Sequence, residues 1–255
     1  MKRFGQILLA LLVATVTPMM FGDAFVNGGF EAGDFSSWTQ GAGYWTGSPA
    51  YPVSPDNYLS GGAGYDISYW EGAIIDNTAY PTDPVTGLPT TAEGRYSARI
   101  NNDYNDYSVG VVKQSVANYG DSNIYFAWLA VLEASHGLTD SDYFSLVVHN
   151  DTTNTEVVRR QYSSASAPGY FTQIGWWYSS GWRLETIPVT AGDDFTLSLL
   201  ASDCPYTGHA GYVYLDGFGG TPPPIPGIPE PSSFVLLGTA MLGVVTAVRR
   251  RRRQV

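Results

Sequence analysis

From Phe25 to Gly220 the apolar positions fall into short runs, many alternating with polar residues, and each run is closed by Gly, Asn, Asp or Pro. No long stretch holds a 3.6-residue apolar period, so helices have little support. The pattern predicts ten strands: Ala24–Phe30, Tyr65–Ile75, Gly94–Asn101, Ser108–Val116, Asn123–Leu132, Tyr143–His149, Glu156–Tyr162, Trp182–Val189, Phe195–Ala201 and Tyr212–Phe218. Strands of this number with short turns imply an all-β chain folded as a single β-sandwich. Asn123–Leu132 is apolar on both faces, as a central strand covered on both sides requires, whereas Glu156–Tyr162 alternates and reads as lying nearer an edge. Gly41–Gly64, rich in Gly, Pro, Ser and Tyr, reads as an ordered surface loop.

Both ends of the chain break this alternation. Lys2 and Arg3 precede the apolar run Ile7–Val16, and Gly22-Asp23-Ala24 supplies the small residues that a signal peptidase reads, so residues 1–24 are expected to be a signal peptide passed through the Sec translocon. At the other end Ser232–Val248 holds 17 uncharged residues, about 25 Å as a helix and close to the thickness of a hydrocarbon core. The guanidiniums of Arg249, Arg250, Arg251, Arg252 and Arg253 follow at once, which predicts a transmembrane helix with a cytoplasmic C-terminus. Six prolines within Thr221–Pro231 make that stretch a polyproline-like linker without packed structure. The succession Pro229-Glu230-Pro231, apolar run and arginine cluster, spanning 229–253, resembles the PEP-CTERM sorting signal of Gram-negative, exopolysaccharide-producing bacteria. The resemblance implies an inner-membrane precursor recognised by an exosortase and delivered to the cell envelope, cell surface or extracellular matrix.

Charge narrows the partners of what lies between. Residues 25–231 carry six basic and 22 acidic side chains, a formal charge of −16. Such a surface repels nucleic acid and acidic polymers and favours divalent cations or neutral ligands. Cys204 is the only cysteine, so no intrachain disulfide can form; it reads as a small buried or loop residue, the alternative being a nucleophile with His209 five residues on. His136, His149 and His209 show no metal-ligand spacing, and the chain lacks Gly-x-Ser-x-Gly, a phosphate loop and HExxH. No two carboxylates are singled out for glycoside hydrolysis, so a polysaccharide hydrolase ranks last and a non-enzymatic role is expected.

Three local patterns point to a family. Asn27-Gly28-Gly29-Phe30-Glu31 with Ser37-Trp38, Glu93-Gly94-Arg95-Tyr96-Ser97-Ala98-Arg99, and Tyr212-Val213-Tyr214-Leu215-Asp216-Gly217-Phe218 occur in that order across residues 25–220. They resemble the opening, middle and closing segments of the galactose-binding-like jelly roll, the fold of many family 4/9-type carbohydrate-binding modules. The resemblance implies that first and last strands meet around one structural Ca2+ held by the Glu31 carboxylate, the Asp216 side chain and main-chain carbonyls around Asn27 and Glu93. Independently, Asp216 stands in an otherwise apolar strand, where it needs a partner unless it faces solvent or caps a turn with Gly217. A second acidic cluster, Asn101–Asp106, is similar to the start of an EF-hand loop but lacks its glycine and terminal glutamate, and reads as a solvated hairpin or loop between two strands.

Aromatic side chains are the remaining candidates, because exposed rings stack on the CH-rich faces of sugars. Trp45 on the long loop, and Trp177 and Trp182 in a Gly/Ser-rich setting, are the expected ligand-binding residues; adjacent Trp176 and Trp177 must point to opposite faces of a strand. The leading expectation is therefore an exported, non-catalytic protein that binds carbohydrate or exopolysaccharide. The alternative is a calcium-stabilised structural or adhesive module that contacts other surface proteins.

Overall fold

The computed structural model describes residues 24–226, except 138, 139, 167, 168, 170 and 207. The body of the expected signal peptide, the Pro229-Glu230-Pro231 motif, the apolar run and the arginine cluster lie outside the described residues. Among the described residues twelve strands form two antiparallel sheets: β1 Thr39–Tyr44, β2 Ala73–Asp76, β3 Tyr96–Ile100, β4 Ser108–Val116, β5 Asn123–Glu133, β6 Tyr143–Asn150, β7 Thr155–Ser163, β8 Thr172–Ile174, β9 Trp177–Ser179, β10 Arg183–Pro188, β11 Phe195–Ser202 and β12 Gly211–Gly219. One sheet runs β1-β4-β11-β6-β7; the other runs β2-β3-β12-β5-β9-β8, with β10 also pairing with β5. The all-β jelly-roll sandwich expected from the sequence is what forms.

Period-2 geometry explains the layers. Along β5, Ile124, Phe126, Trp128, Ala130 and Leu132 face the inter-sheet core, while Ala127, Leu129 and Val131 face outward into a second apolar cluster with Trp182, Tyr212 and Tyr214. Each such large apolar side chain contributes about 1.5–3 kcal/mol on full burial. Both faces of β5 are thus covered, which is why its sequence shows no alternation. β7, by contrast, is an edge strand, and Arg159 pairs with Glu156 along it.

Four local expectations are corrected. Ala24–Phe30 is a series of turns rather than a strand, with Asn27 and Phe30 at positive φ (53° and 58°), because the Asn-Gly-Gly turn chemistry outweighs the flanking apolar residues; Phe25 and Phe30 are nevertheless buried. Tyr65–Ile75 is strand only from Ala73, since the Asp66 carboxylate accepts from the Ser68 N–H at 3.0 Å and starts a short 3-10 turn at Ile67–Tyr69. Part of the Gly41–Gly64 loop is β1. Its glycines allow close approach: a Cβ on Gly41 would lie 2.4 Å from the Tyr58 carbonyl oxygen, and one on Gly43 2.0 Å from that of Gly64. Finally, the proline-rich linker is packed at its start, because Pro223 and Ile225 are buried and Ile225 joins the outer cluster of the seven-stranded sheet.

Candidate functional site

β12 carries a polar site near each of its ends. At the Asp216 end, the N-terminal turn lies against the strand, with the Phe218 N–H donating to the Gly28 carbonyl at 3.1 Å. Asp216 is fully buried; its Oδ2 accepts from the backbone N–H groups of Ala92 (2.8 Å) and Glu93 (3.0 Å), and its Oδ1 is buried with no hydrogen-bond partner among the described residues. Glu31, which is exposed, is aimed inward by the backbone N–H groups of Arg95 (2.9 Å) and Tyr96 (3.0 Å), both donating to its Oε1.

These acids converge on Gly29. A Cβ placed there would lie 3.4 Å from Glu93 Oε1, 3.7 Å from Glu31 Cγ and 3.8 Å from Asp216 Oδ1. Burial pushes the Asp216 carboxyl up to about 8, with Glu93 and Glu31 adding to the rise and the two backbone N–H donors opposing it. Glu93 is likewise raised, by burial first and by Glu31 second. Of these, Glu93 Oε1 and Asp216 Oδ1 flank Gly29 with oxygen, while the Glu31 carboxylate is held by the Arg95 and Tyr96 N–H groups; carboxylate oxygens are the donors a hard divalent cation such as Ca2+ takes. Asn27 is employed elsewhere: its Nδ2 donates to the Asp34 carbonyl at 2.9 Å, its Oδ1 accepts from the Ala32 N–H, and its carbonyl accepts from Trp38 Nε1 at 3.1 Å.

The opposite end of the sandwich is aromatic. Tyr44 closes β1, and its ring lies 5.3 Å from those of both Tyr69 and Tyr107. The Tyr107 hydroxyl donates to the Tyr206 carbonyl at 3.1 Å, which ties the β11–β12 loop to the group. Tyr44, Tyr69 and Tyr206 are exposed, as is Tyr104 in the same β3–β4 loop as Tyr107. Hydroxyl-bearing rings presented in this way can stack on and hydrogen-bond a sugar. Sequence reasoning missed Tyr69, Tyr107 and Tyr206, which come from three different connections.

Beneath the tyrosines, Asp203 is buried and fully engaged: Oδ1 accepts from Asn101 Nδ2 (2.9 Å) and Oδ2 from the N–H groups of Ser108 (3.0 Å) and Asp106 (3.1 Å). The Asn101–Asp106 segment is a loop, as expected, yet Asn101 and Asn102 are buried within it and hold this network.

The expected tryptophan platform is not where the sequence placed it. Trp45 is completely buried, its Nε1 donating to the Pro49 carbonyl at 2.8 Å, and Trp182 is buried with its Nε1 on the Pro89 carbonyl at 2.8 Å; neither ring has a face for a ligand. Trp177 is partly buried and packs edge-on against Tyr212. Its neighbour Trp176 is the exposed one, at 78%. Across the outer face of the five-stranded sheet, Lys113, His149, Arg159 and Ser198 line a polar groove of 280 Å³.

Among solved structures the chain is similar to TmCBM61 in complex with β-1,4-galactotriose, at 13% identity over 76% of this chain and 94% of that one with a TM-score of 0.40. It is also similar to the K1 cleaved adhesin domain of Lys-gingipain from Porphyromonas gingivalis, at 12% identity over 75% and 94% with a TM-score of 0.35. A third likeness is to the CBM22-1 xylan-binding domain from a Paenibacillus barcinonensis protein, at 11% identity over 78% and 93% with a TM-score of 0.31. No curated protein matches the sequence. At the C-terminus, residues 227–253 match the PEP-CTERM protein-sorting motif, so the tail that follows the sandwich is a sorting signal.

Proposed function

We propose that this chain is an exported, non-catalytic envelope or matrix protein whose sandwich binds a neutral polysaccharide at its tyrosine-lined end, with one structural Ca2+ bracing the other end. The observation that carries the reading is the contiguous Tyr44, Tyr69 and Tyr107 group on the rim. A formal charge of −16 over residues 25–231 opposes acidic polymers and leaves ring stacking and hydroxyl hydrogen bonds as the means of recognition. Asp142 and Asp203, both pushed well above the usual carboxylate range by burial, are enclosed rather than facing a cleft, so neither offers itself as the acid of a hydrolase.

The sorting motif supports the route. Residues 1–24 direct the precursor through the Sec translocon and are cleaved by signal peptidase; Ser232–Val248 then holds it in the inner membrane with the arginines in the cytoplasm, and an exosortase processes it for the cell surface. Glu31, Glu93 and Asp216 supply the calcium carboxylates, and the cation supplies the positive charge that Asp216 Oδ1 lacks. Affinity electrophoresis of the full chain through gels containing neutral polysaccharides tests the binding. Retardation that disappears in Tyr44→Ala and Tyr69→Ala supports the reading. Unretarded migration in every neutral polysaccharide, together with capture of other surface proteins, would instead make the chain an adhesive module.

A further inference from the structure

A third group of chemistry-bearing side chains lies at the tyrosine end and belongs to neither site described so far. His136, in the β5–β6 loop, and Cys204 and His209, in the β11–β12 loop, bring one sulfur and two imidazole nitrogens within 4.8 Å of one another. The two imidazoles meet edge to face, with ring centres 4.8 Å apart. Asp140 completes the group: its Oδ2 lies 3.1 Å from His136 Nδ1, and its Oδ1 accepts from the Cys204 thiol at 3.3 Å. Cys204 is buried at the floor, His209 is partly buried and His136 is exposed at the mouth.

We propose that His136, Cys204 and His209, with Asp140 as the fourth ligand, form a binding site for a divalent transition metal ion of borderline softness, zinc in the first instance. The donor set decides the class. Thiolate with imidazole suits zinc and its neighbours and is wrong for calcium, which takes oxygen. Ligands around a tetrahedral zinc stand about 3.5 Å apart, so the group must close by roughly an ångström, a movement within reach of a rotamer change at exposed His136. As the ion enters, the Cys204 proton leaves to solvent, and the Asp140 carboxylate exchanges its hydrogen bonds to the thiol and imidazole for the metal. A catalytic thiol fits the geometry less well, because Cys204 is buried, whereas reactive cysteines sit in partially exposed settings.

The loops being joined show what the ion does for the fold. Glu133, at the end of β5, already ties the two together: its N–H donates to the Ala210 carbonyl at 2.9 Å, and its side-chain Oε2 accepts from the Ala210 N–H at 3.0 Å. Metal would pin the β11–β12 loop, and with it Tyr206, which lies two residues beyond Cys204.

Cobalt titration of the full chain after chelator treatment tests this. Co2+ is expected to produce a thiolate-to-cobalt charge-transfer band that saturates at one equivalent and is abolished by one equivalent of Zn2+. Cys204→Ser is expected to eliminate the band. His136→Ala, which alters an exposed side chain and leaves the fold intact, is expected to weaken metal affinity at least about tenfold. Absence of the band in the unaltered chain, its persistence in Cys204→Ser, or unchanged affinity in His136→Ala would overturn the assignment.

Discussion

Two buried aspartates, Asp203 and Asp216, occupy opposite ends of the same region of the sandwich and serve opposite purposes. Asp203 immediately follows β11 and finds donors for both oxygens in neighbouring loops, from Asn101, Ser108 and Asp106. Asp216, within β12, satisfies only one oxygen, with two backbone N–H groups, and leaves Oδ1 buried beside Glu93 and Glu31. Burial raises the proton affinity of both. Burial alone therefore does not distinguish a structural carboxylate from a site. What distinguishes them is whether local donors exhaust the oxygens, since an unmatched buried acceptor costs the fold until something supplies charge.

Removing Asp203 tests the structural half of the comparison and should have the largest effect. Asp203→Ala strands the Asn101 amide and the Ser108 and Asp106 N–H groups, so a loss of about 3–5 kcal/mol is expected. Urea unfolding should show the same loss with and without Ca2+. Asp216→Asn tests the other half. The asparagine oxygen still accepts from Ala92 and Glu93, so the metal-free protein should be little affected or slightly stabilised. Ca2+ at a hundredfold its dissociation constant should stabilise the parent chain by about 2.7 kcal/mol and the variant hardly at all. Equal stabilisation of both proteins would end the contrast.

The Asp216 carboxyl also gives the comparison a pH dependence. It titrates near 8 in the folded chain and at about 3.9 when unfolded. The folded state therefore binds the extra proton. The group's contribution to metal-free stability is greatest below pH of about 4, declines as pH rises towards 8 and is lost above it. Ca2+ must displace that proton, so its apparent affinity should rise up to about tenfold per pH unit and level off near pH 8. Calcium-induced melting shifts measured from pH 5 to 9 should follow that curve, and Asp216→Asn should flatten it.

The sequence made the two sites unequally legible. A lone carboxylate in the apolar run Tyr212-Val213-Tyr214-Leu215-Asp216 is a local anomaly, visible because strand burial makes an unpaired charge costly. Glu31 and Glu93 could be placed beside it only through motifs in the family resemblance. Tyr69, Tyr107 and Tyr206 had no such signal, because chain connections far apart in sequence bring them together and each alone is an ordinary turn tyrosine. β1 was hidden for a different reason: Thr39–Tyr44 contains two glycines and no branched aliphatic residue, so it lacks strand propensity, and those glycines instead admit the backbone that packs over it. The sandwich itself was legible because β4, β5, β6, β11 and β12 carry long apolar runs that only a two-sheet core can bury.

The aromatic end offers the smaller effects, and the Trp176-Trp177 pair sharpens what exposure means there. Trp177 packs on Tyr212 and the outer cluster of the seven-stranded sheet, so Trp177→Ala should cost about 1–3 kcal/mol. Trp176 precedes it in the β8–β9 turn, 78% exposed, with its carbonyl accepting from the Ala134 N–H at 2.6 Å. Because only the side chain changes, Trp176→Ala keeps that backbone bond and should alter stability by less than about 0.5 kcal/mol. Any effect on retardation by polysaccharide must then come from the ring itself. Unchanged retardation would confine the platform to Tyr44, Tyr69, Tyr107 and Tyr206, whereas a several-fold loss would extend it along the rim to the β8–β9 turn and imply recognition of a longer glycan chain.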